Sequence, residues 1–251
     1  MIVFFYDATF EGLLSAVFDA YTGGVFPDAL LPPGEIAPLT AAEPHTVITR
    51  GDKVERVFRG LEKKLSSFAL SGLLYASLAE DAGMELFRYI RKVFDAPGRV
   101  EGNLADPDVL AVERLTRKVG REKHHLMGFA RFQKTVQGVY LALVEPCCDV
   151  LPLLVPHFRE RFGEQPWMLY DVRRTYGIFC DGERCAQAHL DGKLLRDGGL
   201  DPALLAEDEA LFTRMWRQYF ASAAIAERAN PKLQARCLPR RFWKYLPEKH
   251  Q

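Results

Sequence analysis

Long apolar runs are missing from this chain of 251 residues, and that absence excludes a membrane span. The most hydrophobic stretch, residues 139–155, is broken by Glu145, Pro146, Asp149 and Pro152. The N-terminus carries no cation, and Asp7 interrupts its apolar residues, so a secretory leader is not expected. Cysteine is scarce and odd in number: Cys147, Cys148, Cys180, Cys185 and Cys237. With no leader before them, these five thiols fit a reducing cytoplasm. The chain also lacks a Walker-type phosphate loop, a Rossmann glycine fingerprint, an HExxH zinc motif and a G-x-S-x-G elbow. Nucleotide hydrolysis, dinucleotide redox chemistry and standard serine hydrolysis therefore lose their usual sequence support.

Net charge is absent too, with 33 cationic and 33 acidic residues, but the charges are segregated. Arg114 to Lys134 holds seven Lys or Arg against Glu122 alone, and Arg214 to Gln251 holds nine against Glu227 and Glu248. The balancing acids lie in Asp181 to Leu211, with eight acids and three bases. Local fields, rather than the total, guide a phosphate backbone to a surface. The same tracts also suit solvated helix faces.

What is present is ample apolar material, 48% of the residues, which suffices for a packed core. MIVFFYD reads as a buried opening strand, and Phe10 to Tyr21 as a short helix with Thr9 as N-cap. A long Pro/Gly-rich connection, Gly23 to Pro44, follows. Apolar stripes at helical spacing then run through Val54–Leu65, Leu70–Leu78 and Leu86–Phe94. Asp106 and Pro107 form a helix start, cap and first residue, for a helix reaching His124. After Gly128 the period becomes that of strands: GFARFQ and GVYLALVEP suggest a hairpin, Val150 to Phe162 a helix, and WMLYD, TYGIFCDG and CAQAHLDG strands. A last helix is expected over Pro202 to Arg228, capped by Asp201. The expected class is α+β, a helical N-terminal layer packed with a mostly antiparallel C-terminal sheet. A single domain over 1–251 is the simplest organisation, helix-rich over 50–127, strand-rich over 128–191, with a C-terminal helix and basic tail over 202–251.

The densest packet of site-like chemistry is HHLMGFARFQ, residues 124–133. On a helix, adjacent His124 and His125 diverge by about 100° and do not chelate one ion together. Glu122 is placed to orient an imidazole as an acid/base pair, and a helix-end histidine equally interacts with the dipole. If a strand begins at Gly128, Phe129 and Arg131 share a face suited to backbone and base contact, or to cation–π packing. In HFRERF, residues 157–162, the phenylalanines suit the core, while His157 and Arg161 lie four apart. Asp171 ends a strand beside Arg173 and Arg174, as a turn cap, an arginine partner or a catalytic carboxylate. Cys180, Cys185 and His189 do not make a standard zinc set, and buried thiols are the expectation. No metal and no other cofactor is expected.

The C-terminal ERANPKLQARCLPRRFWKYLPEK alternates cations with large apolar groups. Phe242, Trp243, Tyr245 and Leu246 are expected to dock, displaying Arg228, Lys232, Arg236, Arg240, Arg241 and Lys244 as a basic rim.

Four ordered motifs, FYDATFEGLLSAVFDAY, HHLMGFARF, PHFRERF with WMLYDVRRTYG, and ERANPKLQARCLPRRFWKYLPE, resemble a bacterial family of DNA metabolism or DNA repair proteins whose domain is called domain of unknown function 4130. The family pattern falls here on His124, Gly128, Phe129, Arg131 and Phe132. It continues through His157, Phe158, Arg161, Phe162, Trp167, Asp171, Arg174, Tyr176 and Gly177. It closes on Arg228, Asn230, Pro231, Leu233, Pro239, Arg241, Trp243 and Leu246. His125 stands where the pattern has a basic residue. The resemblance implies a role beside a radical S-adenosylmethionine protein and an association with uracil-DNA-glycosylase-like domains, with no catalytic assignment to carry over.

The resulting expectation is a cytoplasmic DNA-binding accessory or processing factor in repair or base modification, with DNA and a radical S-adenosylmethionine protein as partners and no membrane. DNA contacts are expected from Arg121, Phe129, Arg131, Arg161, Arg173, Arg174, Arg228, Arg240, Arg241 and Lys244. The candidate catalytic residues are His124, His157 and Asp171. The alternatives are a nucleic-acid hydrolase or glycosylase using His124 or Asp171, and a purely structural partner of the radical enzyme.

Overall fold

The computed structural model describes residues 1–42, 44–80, 82–196 and 199–249. The chain divides into two compact units, residues 1–120 and 121–251. Helices dominate the N-terminal half and the main sheet lies in the C-terminal half, the α+β arrangement expected from periodicity.

In the first unit, β1 (Val3–Phe5) is the centre of a three-stranded parallel sheet, flanked by β2 (Ala29–Leu31) and β3 (His45–Thr46). The opening strand is as expected, but the Pro/Gly-rich connection contributes a strand of its own. Helix α1 (Phe10–Gly23) starts where Thr9 accepts a hydrogen bond from Gly12 N, and Asp7 in turn accepts from the Thr9 hydroxyl at 2.6 Å. Helices α2 (Gly51–Lys64) and α4 (Gly83–Asp95) pack on α1 and on each other. Gly60 permits that approach, since a Cβ there would sit 2.7 Å from the Phe94 ring. Helix α3 (Ser67–Ala76) is capped by Ser66, and α5 (Pro107–Phe129) by Asp106, whose Oδ1 accepts from Asp108 N and Val109 N.

The second unit is built on a five-stranded sheet: β4 (Gln133–Lys134), β5 (Tyr140–Val144), β6 (Trp167–Asp171), β7 (Tyr176–Cys180) and β8 (Cys185–Ala188), in that spatial order. Helix α6 (Leu151–Phe162) makes the crossover between parallel β5 and β6, and the other three pairings are antiparallel. Alternation divides the strand side chains between two faces. Leu141, Leu143, Met168 and Tyr170 pack with Leu200 in one cluster. Elsewhere, Phe132, Phe158, Phe162 and Trp167 form a ring cluster, with Phe132 5.0 Å from Phe158 and 4.7 Å from Phe162. Phe158 of HFRERF is therefore core, as the spacing predicts, and Phe162 packs against it half-buried. Gly177 is required by close packing: a Cβ there would lie 2.7 Å from the Leu169 carbonyl oxygen.

Three expectations are corrected. Helix α5 runs through Gly128 to Phe129, with Ala130 N bonded to Leu126 O, because Leu126 and Ala130 are buried on its inner face. The first hairpin arm is thus only β4, and Phe129 and Arg131 share no strand face. The long C-terminal helix is split. Asp201 caps a single 3₁₀ turn, Pro202–Leu204, and α7 (Glu209–Ala223) begins afresh where the Glu209 carboxylate accepts from Lys134 N at 2.9 Å. Finally, Cys180 and Cys185 are not thiols: they face each other as partners across β7 and β8 and are joined by a disulfide. A short hairpin, β9 (Leu195–Arg196) with β10 (Gly199–Leu200), and helix α8 (Pro231–Cys237) complete the unit. Among the described residues, no helix is long and apolar enough to cross a membrane.

Candidate nucleic-acid interface

The C-terminal segment is fastened by both apolar anchors and buried carboxylates. Pro239 starts two 3₁₀ turns, Arg240–Tyr245, and these bury Phe242 and Leu246 completely or nearly so. The Phe242 ring packs against His125 at 5.7 Å and Phe129 at 5.8 Å. Beside it the Arg241 guanidinium lies over the Phe242 ring and donates to Glu122, a carboxylate that is itself 1% exposed. Glu122 also accepts from Cys147 N at 2.8 Å. It orients an arginine and a backbone amide, not an imidazole, which corrects the acid/base pair expected for it. Lys244 pairs with Glu145, to which the Tyr245 hydroxyl also donates at 3.3 Å.

A second fastening involves Arg131. Its guanidinium donates to Gly128 O and to Glu248, both at 2.8 Å, and lies over the Trp216 ring. Trp216 Nε1 donates to the other Glu248 oxygen at 2.8 Å, and Arg217 Nε to Pro247 O at 2.9 Å. Burial would raise the Glu248 carboxyl, but the hydrogen bonds from Arg131 and Trp216 hold it below the ordinary glutamate value. The Arg131 charge is already met inside the protein.

At the ends of β5 and β6 lies a polar cluster. Asp171 is fully buried and accepts from the backbone N–H groups of Arg173 and Arg174 and from the Arg174 side chain at 2.6 Å. Arg174 also donates to Pro146 O at 3.1 Å. The Asp171 contacts are those of a turn-capping carboxylate that closes the β6–β7 connection. Nearby in sequence, Tyr176 donates to Asp149. Burial and that carboxylate together push the phenol well above its ordinary value, so it stays a donor. Cys147 Sγ lies 3.7 Å from Cys148 Sγ, and that contact, together with the Arg241 charge, lowers the Cys147 thiol to about 7 despite burial and Glu122.

The remaining sequence candidates are dispersed. His124 is exposed, whereas its neighbour His125 is half-buried, stacked on Phe129, with Nδ1 unsatisfied. His157 is half-buried on α6 beside Phe158, and its Nε2 has no partner. Among the described residues, no hydrogen bond or ion pair joins His124, His157 and Asp171 to one another. Arg121, Arg161, Arg173, Arg228 and Arg240 are exposed, and Arg240 lies over the Trp243 ring at 5.7 Å. His189, considered with the cysteines as a metal ligand, instead bonds Thr175 O at 2.8 Å. The described residues include no group of three or more His, Cys, Asp or Glu arranged to hold a metal ion. Sequence reading missed Glu145, Asp149, Trp216 and Glu248 as partners. Glu145 and Glu248 each sit beside a proline, a signal common in any loop, and Asp149 and Trp216 carried none.

Comparison with known proteins adds one clear relationship. No curated protein matches the chain. Among solved structures, a pGpG-specific phosphodiesterase, PggH from Vibrio cholerae, aligns at 11% identity with a TM-score of 0.33, covering 89% of this chain and 99% of that one. That likeness is too slight to bear on fold or chemistry. The model of the family described as "domain of unknown function", DUF4130, matches residues 80–248, two thirds of the sequence, and the chain belongs to that family.

Proposed function

We propose that the protein is a DNA-binding accessory or processing factor in bacterial DNA repair or base modification, working with a radical S-adenosylmethionine partner. The observation that carries the reading is the exposed set of cations on the C-terminal segment. Arg240 stands on a backbone that buried Phe242 and Leu246 hold in place, and Arg228 and Arg236 are exposed on the segment that leads into it. Arg241 and Lys244 remain about half exposed while paired with Glu122 and Glu145. Cations on an anchored backbone meet phosphates with less backbone ordering, and they carry no base specificity. The family resemblance supports the repair setting and the choice of partner.

Salt titration of DNA binding by the full chain tests the first part. Binding to single-stranded or duplex DNA should fall steeply with salt, with a logarithmic slope of about −2 to −4 for a few phosphate contacts. Changing Arg228, Arg236 and Arg240 together to alanine should flatten that slope. Undetectable or salt-insensitive binding removes the reading. For the partner, co-purification with the radical S-adenosylmethionine protein is the measure, and its absence would remove that half alone.

A further inference from the structure

The first unit contains a cavity of about 780 Å³ lying among α3, α4 and the N-terminal part of α5, with the loop at Glu101 closing one side. Its walls are mainly apolar and aromatic: Phe68 at the rim, then Tyr75, Leu104 and Val112. Polar groups interrupt them: Tyr89 and Glu101, and along α5 Glu113, Thr116 and Arg117. Tyr89 is 3% exposed, yet its hydroxyl makes no hydrogen bond to any described residue. The hydroxyl atom itself is open to the cavity rather than sealed, so it is available to whatever fills it. Burial and the negative charge of Glu101 push this phenol up to about 12, so it remains a donor at physiological pH.

Glu101 is the matching acceptor. Its Oε2 is held by Ser66 N and Ser66 Oγ, both at 2.9 Å, which fixes the carboxylate against the α3 cap. Among the described residues, its Oε1 meets only the exposed Arg99 guanidinium, at 3.6 Å. The cavity lining thus includes a donor, the Tyr89 hydroxyl, and a preorganised acceptor, the Glu101 carboxylate, whose charge acts on that phenol, with aromatic and aliphatic surface around them. Pockets of this size take small organic molecules, with a few placed polar groups setting orientation.

We propose that this cavity binds a planar heteroaromatic ring whose edge carries an N–H donor beside a carbonyl or ring-nitrogen acceptor, the edge a nucleobase presents. The N–H would donate to Glu101 and the acceptor would receive the Tyr89 hydroxyl, while the ring faces meet Tyr75 and the aliphatic wall. An aliphatic ligand would leave the Tyr89 hydroxyl without a partner. The same chemistry reaches the cavity either as a free nucleoside or as an unpaired base within a strand.

The test uses the full chain with Arg228, Arg236 and Arg240 changed to alanine, so that phosphate contacts at the tail do not mask the result. Calorimetry and saturation-transfer NMR would be run with adenosine, guanosine, inosine and cytidine, and with two oligonucleotides that differ by one unpaired base. Saturable nucleoside binding identifies the free form. Binding seen only for the oligonucleotide with the unpaired base identifies the strand form. In either case Tyr89→Phe should weaken it roughly two- to tenfold, and Glu101→Gln more than tenfold. Gly120 also lines the cavity, and a Cβ there meets nothing within 4 Å, so Gly120→Leu should block binding while keeping the helix sound. No binding by any probe, or binding that survives all three substitutions, overturns the proposal. Because the tail is already neutralised, that failure stands apart from failure of DNA binding by the basic segment.

Discussion

Glu122 and Arg241, 119 residues apart in sequence, form an ion pair in which the carboxylate is buried and the guanidinium half exposed. The same carboxylate holds the Cys147 amide, so one acid ties α5, the loop after β5 and the C-terminal turns together. Removing the arginine leaves a buried charge with a single neutral donor. Arg241→Ala should therefore destabilise the protein by about 1–3 kcal/mol, below the full value for a buried pair because water reaches the arginine side. Glu122→Gln in the Arg241→Ala background should recover part of that loss. A double-mutant cycle by urea denaturation measures it, and strict additivity would mean that the two residues do not act as a pair.

The loop that Glu122 holds also sets the reactivity of a thiol. The Cys148 contact lowers Cys147 to about 7, while Cys148 is wholly buried. In a Cys237→Ser protein, which lacks the exposed third thiol, iodoacetamide should modify Cys147 first, with a rate that reaches half its plateau near pH 7. Cys148→Ala should move that midpoint upward. Peptide mass spectrometry reads the site, and preferential labelling of Cys148 would contradict the arrangement.

The parts legible in the sequence are those written in local chemistry. Thr9 and the Asp106–Pro107 pair cap helices as read, the stripes of α2 to α4 appear, and the three C-terminal strands β6, β7 and β8 lie where alternation places them. Strands of two or three residues, β2 and β3, carry too little periodicity to see. Gly128 looked like a helix end, yet a single glycine costs a helix only about 1 kcal/mol, and burial of Leu126 and Ala130 outweighs it. The candidate site was legible as composition, not as pairing. Cations and aromatics in the tail were plain, but which of them are spent on buried acids depends on Glu122, Glu145 and Glu248, whose partners lie about 100 residues or more away.

His125 supplies a pH response. Burial lowers its imidazole below the ordinary value, Glu122 opposes this, and Arg241, His124 and Arg121 add to it. The unfolded chain therefore takes up a proton more readily than the folded one. The sign follows: stability is complete above the unfolded value, near 6.5, and is lost as pH falls below it toward the lowered folded value. His125→Phe keeps the ring packing with Phe129 and Phe242 and should flatten the slope of thermal stability between pH 7 and 5. His124→Phe, at an exposed position, should leave the slope in place. Equal effects from the two substitutions would assign the response elsewhere.

Arg131 separates a structural cation from a DNA-binding one. Its guanidinium satisfies Gly128 O and Glu248, whose side chain is 2% exposed, and Trp216 completes the carboxylate. Arg131→Ala removes one partner of a buried acid and should cost about 2–4 kcal/mol, whereas Arg131→Lys retains the charge but not the two-sided geometry and should cost less. The Glu248 carboxyl is held below its ordinary value, so the stability it contributes is present above pH ~4.5 and is lost as pH falls through its folded value. Arg131→Ala should flatten that acid limb in thermal melts. Arg240→Ala, at an exposed position, should leave the melts unchanged and weaken DNA binding instead. The opposite pattern, weaker binding from Arg131→Ala with stability intact, would return Arg131 to the DNA-contacting set.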